Sequence, residues 1–345
     1  MSKSFTVAFI GCGRRAAEHA KGVRVDPRCN VVALADVNAE SAEKMKNDFS
    51  FDHAALYSDH VKMLSEVRPE VVVTCLWTPL HLPIFRDCVA HGVKAVLSEK
   101  PMAPTWGDCL AMSREADESG VQLTFSHQRR FATGNRLTRQ LIEAGTFGPV
   151  QRMDLFSPPN LLDCGTHTID QAMSFNNNHK AKWVLCAVDV SSLLNWFNVQ
   201  AECMSIGTIV FSNGVRASMQ TGGPDMDIGA GVRVTGTDGF IEVTWDGQIK
   251  RAVVYKDPSW TVPEFKADTG EDHMHAVIKN AIDSLENGTE PELSHGSALQ
   301  VTETLFAMYE SVRRRARVEL PLTGVTDNPF LSMLKAGAFG EAQPN

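Results

Sequence analysis

The strongest fold signal in this chain lies between Phe5 and Ala20, in the sequence FTVAFIGCGRRAAEHA. Its first six residues form an apolar run typical of a buried strand, and a helical pattern begins at Ala16. A Gly-x-Gly-x-x-Ala turn lies between them. Gly11 permits the tight bend, Gly13 leaves the backbone open to a pyrophosphate, and the small residue lets the helix pack close to the strand. Such turns also serve simple chain reversal, so the flanking sequence must support a nucleotide site.

The second predicted strand, 30–35, supplies that support because it ends in Asp36. This acid lies about 20 residues beyond the glycines, where it can accept hydrogen bonds from an adenosine ribose. Strand, glycines, helix, strand and acid together predict dinucleotide binding. Asp36 favours NAD, since a carboxylate repels the 2′-phosphate of NADP. Arg14 and Arg15 leave NADP open as the alternative, because either can contact the pyrophosphate, stack on adenine or pair with a 2′-phosphate.

The alternation of strand and helix continues through two further apolar runs, at 70–76 and 93–98. Polar residues follow each run, at the edge where an open parallel sheet collects ligands. They are Thr78, Pro79 and His81 after the first run, and Glu99, Lys100 and Pro101 after the second. Taken alone, Lys100 could be an ordinary solvated loop lysine and His81 a residue that begins a helix. A last strand at 121–125 completes a doubly wound Rossmann domain over residues 1–125.

The second half of the chain has a different pattern, with strands joined by tight turns. Turn signals occur at Asn213-Gly214, Asp238-Gly239 and Asp246-Gly247, and they predict an antiparallel sheet with one face solvated. Two amphipathic helices are predicted at about 271–287 and 296–316. We therefore expect a second domain over 126–323 and a C-terminal tail over 324–345.

Asp163 and His167 form the candidate acid–base pair of this second half. They are four residues apart, so within a helical turn they share one face. A histidine can remove a hydroxyl proton near neutral pH, and a carboxylate can orient it or accept a substrate hydroxyl. The alternative is that Asp163 caps a helix and His167 is a solvated helical residue.

Composition excludes several classes of partner. The 345-residue chain has a net charge of −8, which argues against nucleic acid or an anionic membrane surface. No apolar run approaches the roughly 20 residues that span a bilayer. Eight cysteines are scattered without a Cys-x-x-Cys pair, and no export signal is recognised, so we expect reduced thiols in the cytoplasm. His273 and His275 would point to different faces of a helix, so no metal is expected.

The motifs together resemble one family, the glucose–fructose oxidoreductase, inositol dehydrogenase and MocA-type (Gfo/Idh/MocA) oxidoreductases. The resemblance covers nearly the whole chain. It rests on Gly11-x-Gly13-x-x-Ala16, Thr78-Pro79-x-His81, Glu99-Lys100-Pro101, Arg129-Arg130-Phe131, Asp163-x-Gly165-x-His167-x-x-Asp170 and Gly236-Thr237-x-Gly239.

The resemblance implies an α/β fold class: an N-terminal Rossmann doubly wound parallel sheet plus a C-terminal α+β domain with a large open, mostly antiparallel sheet. It implies NAD(P)-dependent oxidation of a hydroxyl on a sugar, inositol or related polyol, and a homodimer or homotetramer formed through the C-terminal sheet. Lys100 would hydrogen-bond the reacting oxygen near the nicotinamide ribose. His167 would be the general acid/base, with Asp163 binding the substrate or supporting proton transfer. Gln128 and Arg129 would face the substrate.

The segment before Asp163 departs from the family pattern. Residues 154–160 replace a longer glycine-containing loop that normally helps to wall the substrate, which suggests an open or partner-completed pocket. Two alternatives stay open, and the shortened segment motivates the second of them. One is transient oxidation by a retained cofactor that allows elimination or glycosidic cleavage, and the other is a non-catalytic NAD-sensing regulator.

Overall fold

The computed structural model describes residues 4–196, 198–222 and 230–340, with the backbone alone at 270 and 271. These residues divide into two compact units. The first comprises 4–104, 108–128 and 269–299, and the second comprises 105–107, 300–340 and the described part of 129–268. The linear domains expected at 1–125 and 126–323 did not anticipate this interleaving, in which residues 269–299 join the first unit.

The first unit contains a parallel sheet with the strand order β3-β2-β1-β4-β5-β6. Its strands are β1 (Phe5–Ile10), β2 (Cys29–Ala35), β3 (Ala55–Tyr57), β4 (Val71–Thr74), β5 (Ala95–Ser98) and β6 (Gln122–Phe125). This order is that of a Rossmann fold, so the predicted doubly wound sheet is confirmed. β4 and β5 are buried along their whole length, because helices cover both faces of such a sheet.

Helices alternate with these strands along the chain. They are α1 (Arg14–Val25), α2 (Ala39–Asp48), α3 (His60–Val67), α4 (His81–Ala90) and α5 (Trp106–Ser119). The side chains of Asn38 and Asp59 accept backbone N–H groups in the first turns of α2 and α3. Such caps satisfy donors that the helix itself leaves unpaired.

The second unit contains a mostly antiparallel sheet with the order β13-β12-β11-β7-β10-β9-β8-β14. Helices α6 (Thr133–Glu143) and α7 (Thr166–Phe175) accompany it. β7 and β10 pair parallel, and the other described pairs are antiparallel. The predicted fold class is confirmed. The strands are β7 (Val150–Ser157), β8 (Ala181–Trp196), β9 (Val199–Phe211), β10 (Arg216–Thr221), β11 (Gly231–Gly236), β12 (Gly239–Thr244), β13 (Ile249–Val254) and β14 (Val318–Glu319).

Three helices close the described chain: α8 (Gly270–Asn287), α9 (His295–Arg314) and α10 (Pro329–Lys335). The first two lie within two residues of the predicted 271–287 and 296–316. α8 packs along α1 in the first unit, and a Cβ at Gly22 would lie 2.5 Å from the Met274 carbonyl oxygen, so the close approach depends on that glycine. No described helix is both long enough and apolar enough to cross a membrane.

Candidate active site

The glycine turn after β1 has the geometry that a bound pyrophosphate requires. Gly11 has φ of +86°, and a Cβ there would lie 2.4 Å from the Cys75 carbonyl oxygen. Gly13 is the N-cap of α1, and a Cβ there would meet no described atom within 4 Å. The turn is therefore closed on the side of β4 and open above the helix N-terminus, where backbone N–H groups and the helix dipole favour an anion. These features fit a dinucleotide.

Asp36 connects the end of β2 to this turn. One carboxylate oxygen accepts the Cys12 N–H at 2.7 Å, and the other accepts the Asn38 N–H at 2.8 Å. Each oxygen keeps a further lone pair that can accept a ribose hydroxyl. The Asp36 side chain is half-buried at the edge of the sheet, and the next residue, Val37, is exposed. Asp36 thus fixes the glycine turn, and its ribose-binding role stays a prediction.

Glu99 and Lys100 lie in a buried position directly after β5, and the peptide between Lys100 and Pro101 is cis. The Glu99 Oε1 atom accepts the Arg15 Nε–H at 2.6 Å and lies 2.6 Å from His19 Nε2. Burial opposes the charge on Glu99. The Arg15 guanidinium and the His19 ring outweigh that effect, with a smaller contribution from the Lys100 ammonium, and lower the pKa of Glu99 to about 2. The carboxylate is therefore ionised throughout the physiological range.

Arg14 and Arg15, which the sequence could not distinguish, have different environments. Arg14 is exposed at the start of α1. The Arg15 side chain is 38% exposed. In the Gln128 amide orientation that satisfies both of its polar atoms, the Arg15 Nη2 donates to the Gln128 side-chain oxygen at 3.0 Å and the Gln128 amide nitrogen donates to the Ser126 carbonyl at 2.8 Å. Sequence reasoning missed His19. Its signal was the spacing of four residues from Arg15, which puts both side chains on one face of the helix.

The segment after β4 carries the other predicted cofactor residues of this edge. Thr78 and Pro79 lie in a 3₁₀ turn, and His81 begins α4. The His81 Nδ1 and Nε2 atoms lie 3.1 Å from the Met102 carbonyl oxygen and 3.2 Å from that of Leu76. Burial lowers the pKa of His81, and the hydrogen bonds to these two carbonyls oppose that effect. A neutral ring carries one N–H group and so donates to one of the two carbonyls. The buried Thr78 Oγ1 has no hydrogen-bond partner among the described residues, which leaves a donor and acceptor for a ligand.

In the second unit, Asp163 and His167 lie on one continuous buried segment after β7. Residues Leu161–Gly165 form a π-helical turn, and α7 follows at Thr166. The cap is Asn160, whose side-chain oxygen accepts the Asp163 N–H at 2.8 Å. The alternative that made Asp163 the N-cap and His167 a solvated residue is therefore wrong. Single π turns occur frequently at functional sites.

Arg129 and Arg130 have separate partners within the second unit. The Arg130 Nε–H donates to both carboxylate oxygens of Asp170, at 3.0 and 2.8 Å, and both side chains are buried. This pair fixes α7 three residues beyond His167. The Arg129 guanidinium lies 4.5 Å from the centre of the Trp245 ring, an arrangement favoured by cation–π attraction. Its predicted contact with the substrate remains a prediction.

The structure thus joins Arg15, Glu99 and Gln128 in one hydrogen-bonded cluster of the first unit, with Lys100 adjoining it in sequence. It carries Asp163 and His167 together in the second unit. Within the described residues, no group of three or more His, Cys, Asp or Glu side chains is arranged to bind a metal ion. These groups can bind a dinucleotide. They also include a cation, a carboxylate and an imidazole that can transfer a proton.

A Rossmann sheet with an open glycine turn and an acid at the end of its second strand is typical of dinucleotide-binding proteins. The chain belongs to the Gfo/Idh/MocA oxidoreductase family. The family's NAD-binding Rossmann fold matches residues 5–127, and its C-terminal alpha/beta domain matches residues 140–320. The chain therefore carries both the NAD-binding Rossmann domain and the C-terminal domain of this oxidoreductase family, as the sequence motifs predicted.

Curated relatives match over part of the chain. An inositol 2-dehydrogenase of Burkholderia cenocepacia (strain HI2424) is 27% identical over 144 residues, which are 41% of this chain and 42% of the relative. A 1-carboxy-3-chloro-3,4-dihydroxycyclo hexa-1,5-diene dehydrogenase of Comamonas testosteroni is 27% identical over 233 residues, 63% of this chain and 57% of the relative. The chain thus spans about two-fifths of the length of the first of these relatives and somewhat over half of the second.

The fold is similar to solved structures over almost the whole chain. The WlbA dehydrogenase from Bordetella pertussis, crystallised with NADH and UDP-GlcNAcA, has a TM-score of 0.77 at 21% identity, and the similarity covers 93% of this chain and 100% of that one. At this identity the likeness shows the common fold.

Proposed function

We propose that the protein transfers a hydride between NAD and a hydroxyl-bearing carbon of a sugar, inositol or related polyol. The observation that carries the proposal is the position of Lys100, which follows β5 in a buried position beside the ionised Glu99. The relatives named inositol 2-dehydrogenase support the substrate class. The structure of an aldose-aldose oxidoreductase from Caulobacter crescentus, which shares this fold, is compatible with it.

The first unit would bind the cofactor. The N-terminus of α1 at Gly13 would receive the pyrophosphate, with the exposed Arg14 beside it, and Asp36 would accept the hydroxyls of the adenosine ribose. Thr78 offers an unsatisfied hydroxyl at the same edge of the sheet. When bound, the nicotinamide supplies the hydride acceptor or donor. Asp36 is the reason to propose NAD, with NADP as the alternative, because its carboxylate would repel a 2′-phosphate.

Three side chains would act on the substrate. The Lys100 ammonium would hydrogen-bond the reacting oxygen and stabilise the negative charge that develops on it. His167 would take the hydroxyl proton during oxidation and return it during reduction, and Asp163 would accept a hydrogen bond from a substrate hydroxyl. Gln128 and Arg129 are proposed to contact the rest of the substrate.

A polyol panel tests this proposal. The purified protein would be incubated with NAD and sugars, inositols and related polyols, and NADH formation followed by absorbance. Lys100→Met and His167→Gln should each lower kcat/KM by about 100-fold or more, since each removes stabilisation of a charge or a proton in the transition state. NAD affinity, measured by fluorescence, should stay close to that of the wild type.

Lys94→Met is the matched control, because Lys94 precedes β5 at the opposite end and pairs with Glu70 at the surface, at 2.8 Å. It should keep full activity. If no polyol is oxidised, or if Lys100→Met and Lys94→Met behave alike, the proposal fails. Release of a leaving group without net NADH would favour the elimination or glycosidic-cleavage alternative.

We also propose that the protein forms a homodimer or homotetramer through the sheet of the second unit, in the cytoplasm. The exposed face of β8 and β9 carries Leu185 and Ile206, which are 47% and 58% exposed. Apolar groups of this size favour burial against a partner. All eight cysteines are free thiols, which suits a reducing compartment. Ile206→Lys should shift the mass in sedimentation to that of one chain, and an unchanged mass would contradict this interface.

A further inference from the structure

Glu202 is a buried acid in the second unit that the proposed chemistry does not use. It lies in β9, where Ala201 and Cys203 on either side are also buried. The strand pairing with β8 is irregular between Asp189 and Leu193, next to the point where Leu193 pairs with Glu202. The strand therefore loses its alternation of buried and exposed residues there, and Glu202 is enclosed. An enclosed carboxyl group needs hydrogen-bond partners, because burial without them is strongly unfavourable.

Both carboxyl oxygens of Glu202 have such partners. The Leu161 N–H donates to Oε1 at 2.8 Å, and the Tyr309 hydroxyl lies 2.6 Å from Oε2. Leu161 is the first residue of the π-helical turn, and the first N–H groups of a helix have no partner within it. Glu202 thus caps the turn that contains Asp163, together with Asn160, which accepts the Asp163 N–H.

The C-terminal part of the chain supports the same turn from two sides. The Tyr309 ring lies 5.2 Å from that of Phe330, and both side chains are fully buried. The neighbouring Leu331 packs against a buried cluster formed by Leu162, Val199 and Ala201. The described part of the predicted tail, 324–340, therefore contains α10, and residues of this helix pack against the side chains that support the turn.

We propose that Glu202, held by Tyr309, is a positioning residue that fixes the π-helical turn and thereby Asp163 and His167. The kinetic part of this inference rests on the proposed function. A misplacement of about 1 Å by a remote change can cost about 100-fold in rate, so a buried hydrogen bond at the start of the turn can affect catalysis without contact to the substrate.

The neutral isostere Glu202→Gln is a suitable rescue variant. Burial raises the pKa of Glu202 to about 7, so the uncharged acid is populated near neutral pH. A glutamine oxygen can still accept the Leu161 N–H, and its amide can donate to the Tyr309 oxygen. Glu202→Ala removes both bonds, and Tyr309→Phe removes one while it keeps the packing against Phe330.

Glu303→Gln is the matched control on α9. Glu303 accepts the Leu322 N–H at 2.8 Å, which is the same kind of bond made away from the turn. This substitution should leave both the turn and the kinetics unchanged.

Hydrogen exchange followed by mass spectrometry tests the inference independently of any substrate. Amides of residues 161–168 should exchange about tenfold faster or more in Glu202→Ala, less so in Tyr309→Phe, and within about threefold of the wild type in Glu202→Gln. If Glu202→Ala fails to fold, Tyr309→Phe decides. Wild-type exchange in Tyr309→Phe, or exchange in Glu202→Gln as fast as in Glu202→Ala, would overturn the inference.

Steady-state kinetics with an accepted polyol give the second readout. Glu202→Ala and Tyr309→Phe should lower kcat while the dissociation constant for NAD stays unchanged, and Glu202→Gln should restore kcat. Unchanged kcat in both Glu202→Ala and Tyr309→Phe would also overturn the inference. If the wild type oxidises no polyol, the proposed function fails, and the exchange experiment alone decides whether Glu202 fixes the turn.

Discussion

Glu99→Gln removes the charge at the centre of the cluster formed by Arg15, His19 and Glu99. The resulting loss in the free energy of unfolding follows from the pKa of the Glu99 carboxyl group. A fall from the ordinary value of 4.5 to about 2 corresponds to about 3 kcal/mol of stability at neutral pH, since each pKa unit is worth about 1.36 kcal/mol. Glutamine cannot provide this contribution. We therefore expect Glu99→Gln to lower the free energy of unfolding by about 3 kcal/mol at pH 7.

The pH dependence gives the sign of the effect. Because folding lowers the pKa of Glu99, its stabilisation is present above about pH 4.5 and is lost as the pH falls towards 2. At pH 3 less than half of this contribution should remain, so the difference between wild type and Glu99→Gln should shrink by more than half between pH 7 and pH 3.

Urea unfolding of the cofactor-free protein at pH 7, 5 and 3, followed by tryptophan fluorescence, measures this difference. Glu118→Gln is the control, because the Glu118 side chain is 68% exposed on α5 and its ion pair with Arg114 is long, at 3.8 Å. Its effect should stay below about 0.5 kcal/mol at every pH. A loss at Glu99→Gln that is equally small at pH 7, or equally large at pH 3 and pH 7, would refute the proposed role of the charge.

Three further substitutions test the site. Gly11→Ala should destabilise the first unit by more than about 2 kcal/mol and abolish NAD binding, because residue 11 has a positive φ and a Cβ there would meet the Cys75 carbonyl. Urea unfolding measures the loss of stability, and fluorescence titration measures NAD binding. Asp36→Asn should improve the affinity for NADP relative to NAD by about tenfold, measured by parallel titrations, since the repulsion of a 2′-phosphate is removed. Asp163→Asn should raise the substrate KM by about tenfold and change kcat less than His167→Gln does, because its proposed role is substrate binding.

The first two of these substitutions have a control elsewhere in the chain, and the third is compared with His167→Gln. Gly92→Ala has a similar positive φ with no described atom within 4 Å of the Cβ, so a loss equal to that of Gly11→Ala would show that backbone strain alone is responsible. Asp48→Asn removes an exposed charge on α2 and should leave the cofactor ratio unchanged. Equal effects of Asp163→Asn and His167→Gln on kcat would indicate a joint proton-transfer role.

The parts of the site that the sequence predicted depend on local patterns. The glycine turn, Asp36 and Lys100 each follow a recognisable apolar strand, and parallel strands bring such ends to one edge of the sheet. The cluster around Glu99 could not be found in this way. His19 and Glu99 are 80 residues apart, and an arginine at a helix N-terminus has the same local sequence whether it binds phosphate or, as Arg15 does, a buried carboxylate.

The interleaving of the two units escaped prediction for a different reason. The amphipathic pattern of α8 shows that one face is buried, but it does not show which partner buries it. Gly22 was the available signal, since a glycine within the helical pattern of α1 permits another backbone to approach closely. The approach is made by Met274, which lies about 250 positions away in sequence, and a single sequence does not reveal contacts at that separation.

The π-helical turn changes the expected relation between Asp163 and His167. Their spacing of four residues implied a shared face on the assumption of 3.6 residues per turn. Asp163 instead lies in a wider turn, and α7 begins only at Thr166, so the two side chains leave the segment from different kinds of helix. The spacing of four across this junction therefore differs from that of one regular helix, and the comparison of Asp163→Asn with His167→Gln separates a substrate-binding role for Asp163 from a joint role in proton transfer. The turn is capped by both Asn160 and Glu202, because a π turn is less favourable than an α-helical one and its placement decides where both groups point.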